Sequence, residues 1–134
     1  MPRSTKEAKS LANAIREYVN EWSRQNKIET KLSLDNELPL NVNEEQVFFR
    51  VIQEALSNIA RHSQATHVGL ELLYEDSHIL FCIVDNGKGL DLENVQKGVG
   101  LNSMQERLTQ IGATFHMQSE KGGGTQITSK LRRS

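Results

Sequence analysis

Ile79-Leu80-Phe81-Cys82-Ile83-Val84, running without a break into Asp85-Asn86-Gly87-Lys88-Gly89-Leu90, is the stretch on which the fold turns. A short run that is apolar on both faces predicts a strand in the middle of a sheet. The glycines that follow end it abruptly, so the chain leaves the sheet with Asp85 at the exit. Upstream, Val68, Leu70, Leu72 and Tyr74 alternate with polar neighbours and predict a strand over 67–74, and Glu75-Asp76-Ser77 supplies a polar turn between the two strands. Downstream, Leu101, Met104, Leu108 and Ile111 are spaced as one helix face, with Gly112 as the residue after the helix. Residues 114–119 and 126–131 then read as a closing hairpin around Gly122-Gly123-Gly124.

Further towards the N-terminus, Leu11, Ile15, Tyr18, Val19 and Trp22 share a helical face, which predicts a helix over about 4–25. Ile28, Thr30, Leu32 and Leu34 alternate as a strand. Asn43, with Gln46 three residues on, suggests the capped start of a second helix over about 44–61, whose apolar stripe is Phe48, Ile52, Ala55, Leu56 and Ile59. The order α-β-α-β-β-loop-α-β-β predicts an α/β fold. Its architecture is a two-layer sandwich in which three helices cover one face of a mixed, mostly antiparallel five-stranded sheet.

The bulk properties narrow the function. The 134 residues suit one domain with a real core. With 16 Lys+Arg against 17 Asp+Glu, the formal charge of −1 argues against a dedicated nucleic-acid binder. The single cysteine, Cys82, excludes an internal disulfide and a Cys-rich zinc site, and His62, His67, His78 and His116 show no metal-ligand spacing. No apolar run approaches a membrane span, and Met1-Pro2-Arg3-Ser4-Thr5-Lys6 lacks the apolar core of a signal peptide, so the expected setting is cytoplasmic.

Eight of the nine glycines lie between Gly87 and Gly124, in three clusters apart from Gly112. Turns and caps explain any one cluster; three together point to backbone approaching a ligand. Gly98-Val99-Gly100-Leu101 opens a helix, where free N–H groups and the positive dipole end attract anions, and Lys97 adds a positive charge. No P-loop spacing is present. Glu54, Asn58 and Arg61 lie within about 60° of one another on the second helix. A carboxylate and a carboxamide beside such a pocket suit Mg²⁺ that keeps phosphate and water ligands; a solvated face with a Glu54–Arg50 pair is the plain alternative. Asp85 suits the exocyclic amine of a purine, with Thr125 assisting, or else forms an Asx turn with Asn86-Gly87.

Four motifs in order carry a resemblance to a known family. Gln53-Glu54-Ala55-Leu56-Ser57-Asn58-Ile59-Ala60-Arg61-His62 resembles the N box of sensor histidine kinases, and Asp85-Asn86-Gly87-Lys88-Gly89-Leu90 their G1 box. Gly98-Val99-Gly100-Leu101 resembles the G2 box, and Gly122-Gly123-Gly124-Thr125 the final glycine box. Glu54 in the N box and a short lid without a separate F box are similar to the kinases that pair with NarL-type response regulators, including nitrate and cell-envelope stress sensors. The resemblance implies the Bergerat ATP-binding fold over residues 1–134, with a lid at about 90–99. It implies ATP and Mg²⁺ as ligands, with Asn58 on the metal and Asp85 on the adenine amine, supported by Thr125. Gly87 and Gly89 would shape the base pocket, and Gly98, Gly100 and Leu101 would meet the phosphates, with Arg61, His62 and Lys97 as further phosphate contacts. Glu54 and Asn58 are the catalytic candidates.

The family's phosphoacceptor histidine stands in a dimerisation helix with a sequence like R-E-L-H-D, and nothing similar occurs here. The resemblance therefore implies a catalytic domain that donates the γ-phosphoryl group to a histidine on a separate dimerisation domain. The isolated domain would be a monomer or weak dimer. An ATP hydrolase of the same fold, with Glu54 as base, and a serine kinase acting on anti-anti-sigma factors are the alternatives.

Overall fold

The computed structural model describes residues 10–89 and 101–133. Three helices pack on one face of a five-stranded sheet. Helix α1 (Leu11–Asn26) leads to β1 (Glu29–Leu34), and α2 (Val42–Asn58) continues as one π-helical turn (Ile59–Ser63). The hairpin β2 (His67–Glu75) and β3 (His78–Asp85) follows, then α3 (Leu101–Gln110), β4 (His116–Ser119) and β5 (Thr125–Arg132). The spatial order is β1-β2-β3-β5-β4. β1 runs parallel to β2, because α2 returns the chain to the same end of the sheet; the other three ladders are antiparallel.

The predicted apolar faces form the core. Ile15, Val19 and Trp22 of α1, Phe48, Ile52, Ala55 and Leu56 of α2, and Met104 and Leu108 of α3 are buried against Leu70, Leu72, Ile79, Phe81, Ile83, Ile127 and Leu131 of the sheet. The expectation for β3 holds in position but not in reason. It is central, yet of its apolar residues only Ile79, Phe81 and Ile83 are buried; Leu80 and Cys82 on the other face are half-buried and Val84 is exposed. Among the described residues, helices cover one face of the sheet only. Burial, and to a lesser degree the Glu71 carboxylate, push the Cys82 thiol up, with Gln126 opposing, so it is a poor nucleophile.

Two helix starts differ from expectation. α1 begins at Leu11, because Ser10 stands in extended backbone and its hydroxyl accepts from the Asn13 N–H; residues 1–9 lie outside the described residues. α2 is capped by Asn41, not Asn43. The Asn41 carboxamide oxygen accepts from Glu44 N (2.8 Å), and the Glu44 carboxylate accepts from Asn41 N (2.9 Å). A carboxylate is the stronger acceptor, so Asn41-x-x-Glu44 wins over Asn43-x-x-Gln46. Glu44 is itself buried and ion-paired with Arg133 beyond the last strand, which ties the start of α2 to the end of β5. Asn41→Ala is expected to cost about 1 kcal/mol of stability in denaturant titration, with Asn43→Ala near neutral.

Candidate functional site

The end of α2 does not finish as a plain helix. The Ile59 N–H is shared between the Ala55 and Leu56 carbonyls, and the chain widens into the π turn before Gln64 ends it in the left-handed region. Such turns recur at functional sites because they re-aim side chains. Ser63 closes the turn: its hydroxyl donates to Ile59 O (2.9 Å) and accepts from Ala65 N (3.1 Å). Its carbonyl then accepts from Lys88 N at 2.7 Å, which stitches the turn to the glycine loop after β3.

That stitch explains two glycines. A Cβ at Gly87 would overlap the Ser63 carbonyl, so the backbones approach this closely only with glycine. Gly89 has φ +74°, and a Cβ there would overlap the Glu120 carbonyl. Gly89→Ala is expected to lower stability by at least about 2 kcal/mol, read by thermal melting, since strain and overlap act together.

Asp85 is the last residue of β3, only 6% exposed. Its Oδ1 accepts from Gly87 N at 2.7 Å, so the Asx turn is present. Burial pushes the carboxyl group above the usual range, and the Gly87 N–H partly offsets this. Opposite it in the β3–β5 ladder stands Thr125. The Thr125 hydroxyl lies 2.8 Å from the Ser119 hydroxyl, which also donates to Gly124 O at 3.2 Å. Asn86 fixes the far side of the loop, its Oδ1 accepting from both Thr66 N and His67 N.

Between these elements lies a partly enclosed pocket, its cavity about 40 Å³, open to solvent at its mouth. Asn58, His62, Asp85, Gly89, Leu101 and Thr125 line it, over an apolar floor of Ile59, Ile83, Met117 and Ile127. Six of the expected site residues thus converge from four separate parts of the chain. Gly87 supports the wall through Asp85. Arg61 is exposed and is not among the lining residues. Glu54 also stands back from the pocket, accepting at Oε1 from Ser103 and Arg107 of α3 rather than pairing with Arg50. Lys97, Gly98 and Gly100, with the 90–99 lid, lie outside the described residues.

Sequence reasoning missed the apolar floor and the stitching residues Ser63, Asn86 and Ser119. Met117 and Ile127 fell within the expected closing hairpin with no role of their own, and the π turn has no periodic signal that marks it. The donor set suits a cation that is held mainly by its ligand. Asn58 offers a carboxamide in the pocket, and no group of three or more His, Cys, Asp or Glu fit to hold a metal occurs among the described residues. A carboxamide oxygen suits a hard divalent cation that keeps phosphate and water among its ligands.

Residues 43–134 match the family described as histidine kinase-, DNA gyrase B-, and HSP90-like ATPase. The chain is 35% identical over 128 residues to the sensor histidine kinase LiaS of Bacillus subtilis, covering 95% of this chain and 35% of that protein. It is 40% identical over 126 residues to the sensor protein VraS of Staphylococcus saprophyticus, covering 91% and 35%. The chain therefore spans about a third of the length of the curated relatives it matches. Among solved structures, the histidine kinase domain of the blue-light activated kinase of Erythrobacter litoralis EL346 aligns with a TM-score of 0.77 at 14% identity, over 92% of this chain and 61% of that one. The Acinetobacter baumannii histidine kinase AdeS aligns at 0.74 and 16% identity, over 92% and 64%. At such identities the structural likeness shows the fold, and it is the Bergerat fold that the four motifs led one to expect.

Proposed function

The chain belongs to the histidine kinase-, DNA gyrase B-, and HSP90-like ATPase family, and from that premise we propose that it is the ATP-binding catalytic domain of a sensor histidine kinase. The observation that carries this is the convergence of Asn58, Asp85, Gly89, Leu101 and Thr125 on one pocket with an apolar floor. On this reading a flat purine lies over Ile83, Met117 and Ile127, with Asp85 accepting from its exocyclic amine and the Thr125 hydroxyl beside it. The triphosphate then extends toward Asn58, His62 and Leu101, and on to Lys97, Gly98 and Gly100 of the segment that precedes α3. Asn58 would hold Mg²⁺, which would neutralise phosphate charge. Arg61, exposed on the π turn, is a phosphate contact from outside the pocket.

On this reading all 134 residues form the catalytic domain, with a lid at 90–99, and a separate dimerisation domain supplies the acceptor histidine. The chain orients ATP and screens its charge; positioning and electrostatics are most of the catalysis in phosphoryl transfer. The phosphoryl group then passes to a response regulator of the NarL type. No described helix is long and apolar enough to cross a membrane, which fits the cytoplasmic part of a membrane-bound sensor.

The test is transfer in trans. The chain is mixed with γ-labelled ATP, Mg²⁺ and a dimerisation domain bearing the acceptor histidine. An acid-labile, alkali-stable label on that domain is expected. Steady release of phosphate into water with no labelled protein supports the hydrolase instead, and an acid-stable label supports a serine kinase.

A further inference from the structure

Glu54 lies one turn before Asn58 on α2, and Ser103 and Arg107 lie on α3, whose first residue, Leu101, lines the pocket. The Glu54 Oε1 accepts from Ser103 Oγ at 3.2 Å and from Arg107 Nε at 3.2 Å. One carboxylate oxygen thus fastens two successive turns of α3 to the turn of α2 that precedes Asn58. The side chains are half-buried, 25% exposed for Glu54 and 39% for Arg107. Apolar packing by Met104 and Leu108 also holds α3 to the core, but apolar contact is non-directional and tolerates sliding along a helix axis. A charge-assisted hydrogen bond through the guanidinium fixes direction and register.

We propose that Arg107 is a positioning residue for nucleotide binding: with Ser103, and through Glu54, it sets the register of α3 against α2 and so the span between Leu101 and Asn58. The proposal rests on the nucleotide reading of the pocket, in which that span is the phosphate end. Glu54 is then committed to the seam between the helices, in place of the catalytic role that its position in the motif suggested. The base end, built from Asp85, Gly89 and Thr125, belongs to the sheet and its loops and does not depend on this seam.

That division makes the test. Calorimetric titrations of the 134-residue chain compare Mg·ATP with adenosine, which lacks phosphates. Arg107→Ala is expected to weaken Mg·ATP binding about fivefold while adenosine binding stays within error. Arg107→Lys keeps the charge without the Nε–H and should fall between. The double variant Glu54→Ala with Arg107→Ala should bind Mg·ATP no worse than the weaker of the two single variants. Loss of both ligands in equal measure, or an unchanged Mg·ATP affinity in folded protein, overturns the proposal. If Arg107→Ala melts below the assay temperature, the Arg107→Lys ratio decides alone. Wild-type protein that binds neither ligand refutes the nucleotide reading instead.

Discussion

Asp85→Asn should make the unliganded protein more stable at neutral pH and weaken its binding of Mg·ATP about a hundredfold. The two effects have one cause. Burial raises the Asp85 pKa in the folded protein above its unfolded value. The folded state then holds the proton to higher pH than the unfolded one. This contribution to stability is present below the unfolded pKa and is lost as pH rises through the folded value. Asparagine has no charge to desolvate and keeps Oδ1 for the Gly87 N–H, so the fold loses nothing at neutral pH and the fall disappears. Its Nδ2, however, stands where the second carboxylate oxygen was, and it meets the purine amine donor to donor. A 6-oxopurine presents an acceptor there, so the variant should shift its preference from ATP toward GTP. Thermal melts from acid to neutral pH and competition between ATP and GTP measure both. A variant that melts lower at neutral pH, or a wild type that binds ATP and GTP equally, removes Asp85 from the base pocket.

The parts of this molecule that were legible in the sequence are those with a period or a punctuation. The stripe Phe48-Ile52-Ala55-Leu56 and the alternation Val68-Leu70-Leu72 each report one buried face, and burial is what folding selects most strongly. Asp85 and the glycines were legible because a charge at the end of an apolar strand and glycines that follow it need a reason. What was not legible depends on pairs distant in sequence. The Asn41 cap is an exception, a local Asn41-x-x-Glu44 box that the Asn43-x-x-Gln46 reading passed over. Glu54 has Arg50 as its local partner at i−4, yet it takes Arg107, because α3 packs beside α2 and offers a directional donor. The π turn is the same case. Ser63 in that turn bonds both Ile59 and Lys88, and no local pattern records the second of those.

Asn58→Asp, nearly isosteric, should abolish Mg·ATP binding while adenosine binding and the melting temperature stay close to those of the wild type. Asn58 is the last α-helical residue of α2 before the π turn and lines the pocket. On the nucleotide reading this side chain meets both a cation and the phosphates that bring it. Arg61 just beyond adds positive charge and suits the phosphates. A neutral carboxamide meets both demands, offering an oxygen to Mg²⁺ and N–H donors to phosphate oxygens. A carboxylate keeps only the first and repels the triphosphate at close range, where water screens little. By the same logic Mg²⁺ without nucleotide should give no heat of binding at submillimolar concentration, since Asn58 supplies a carboxamide and the phosphates supply the charge. An Asn58→Asp protein that binds Mg·ATP with wild-type affinity would take the metal away from this residue. Tight binding of Mg²⁺ alone would mean an all-protein site that this pocket does not contain among its described residues.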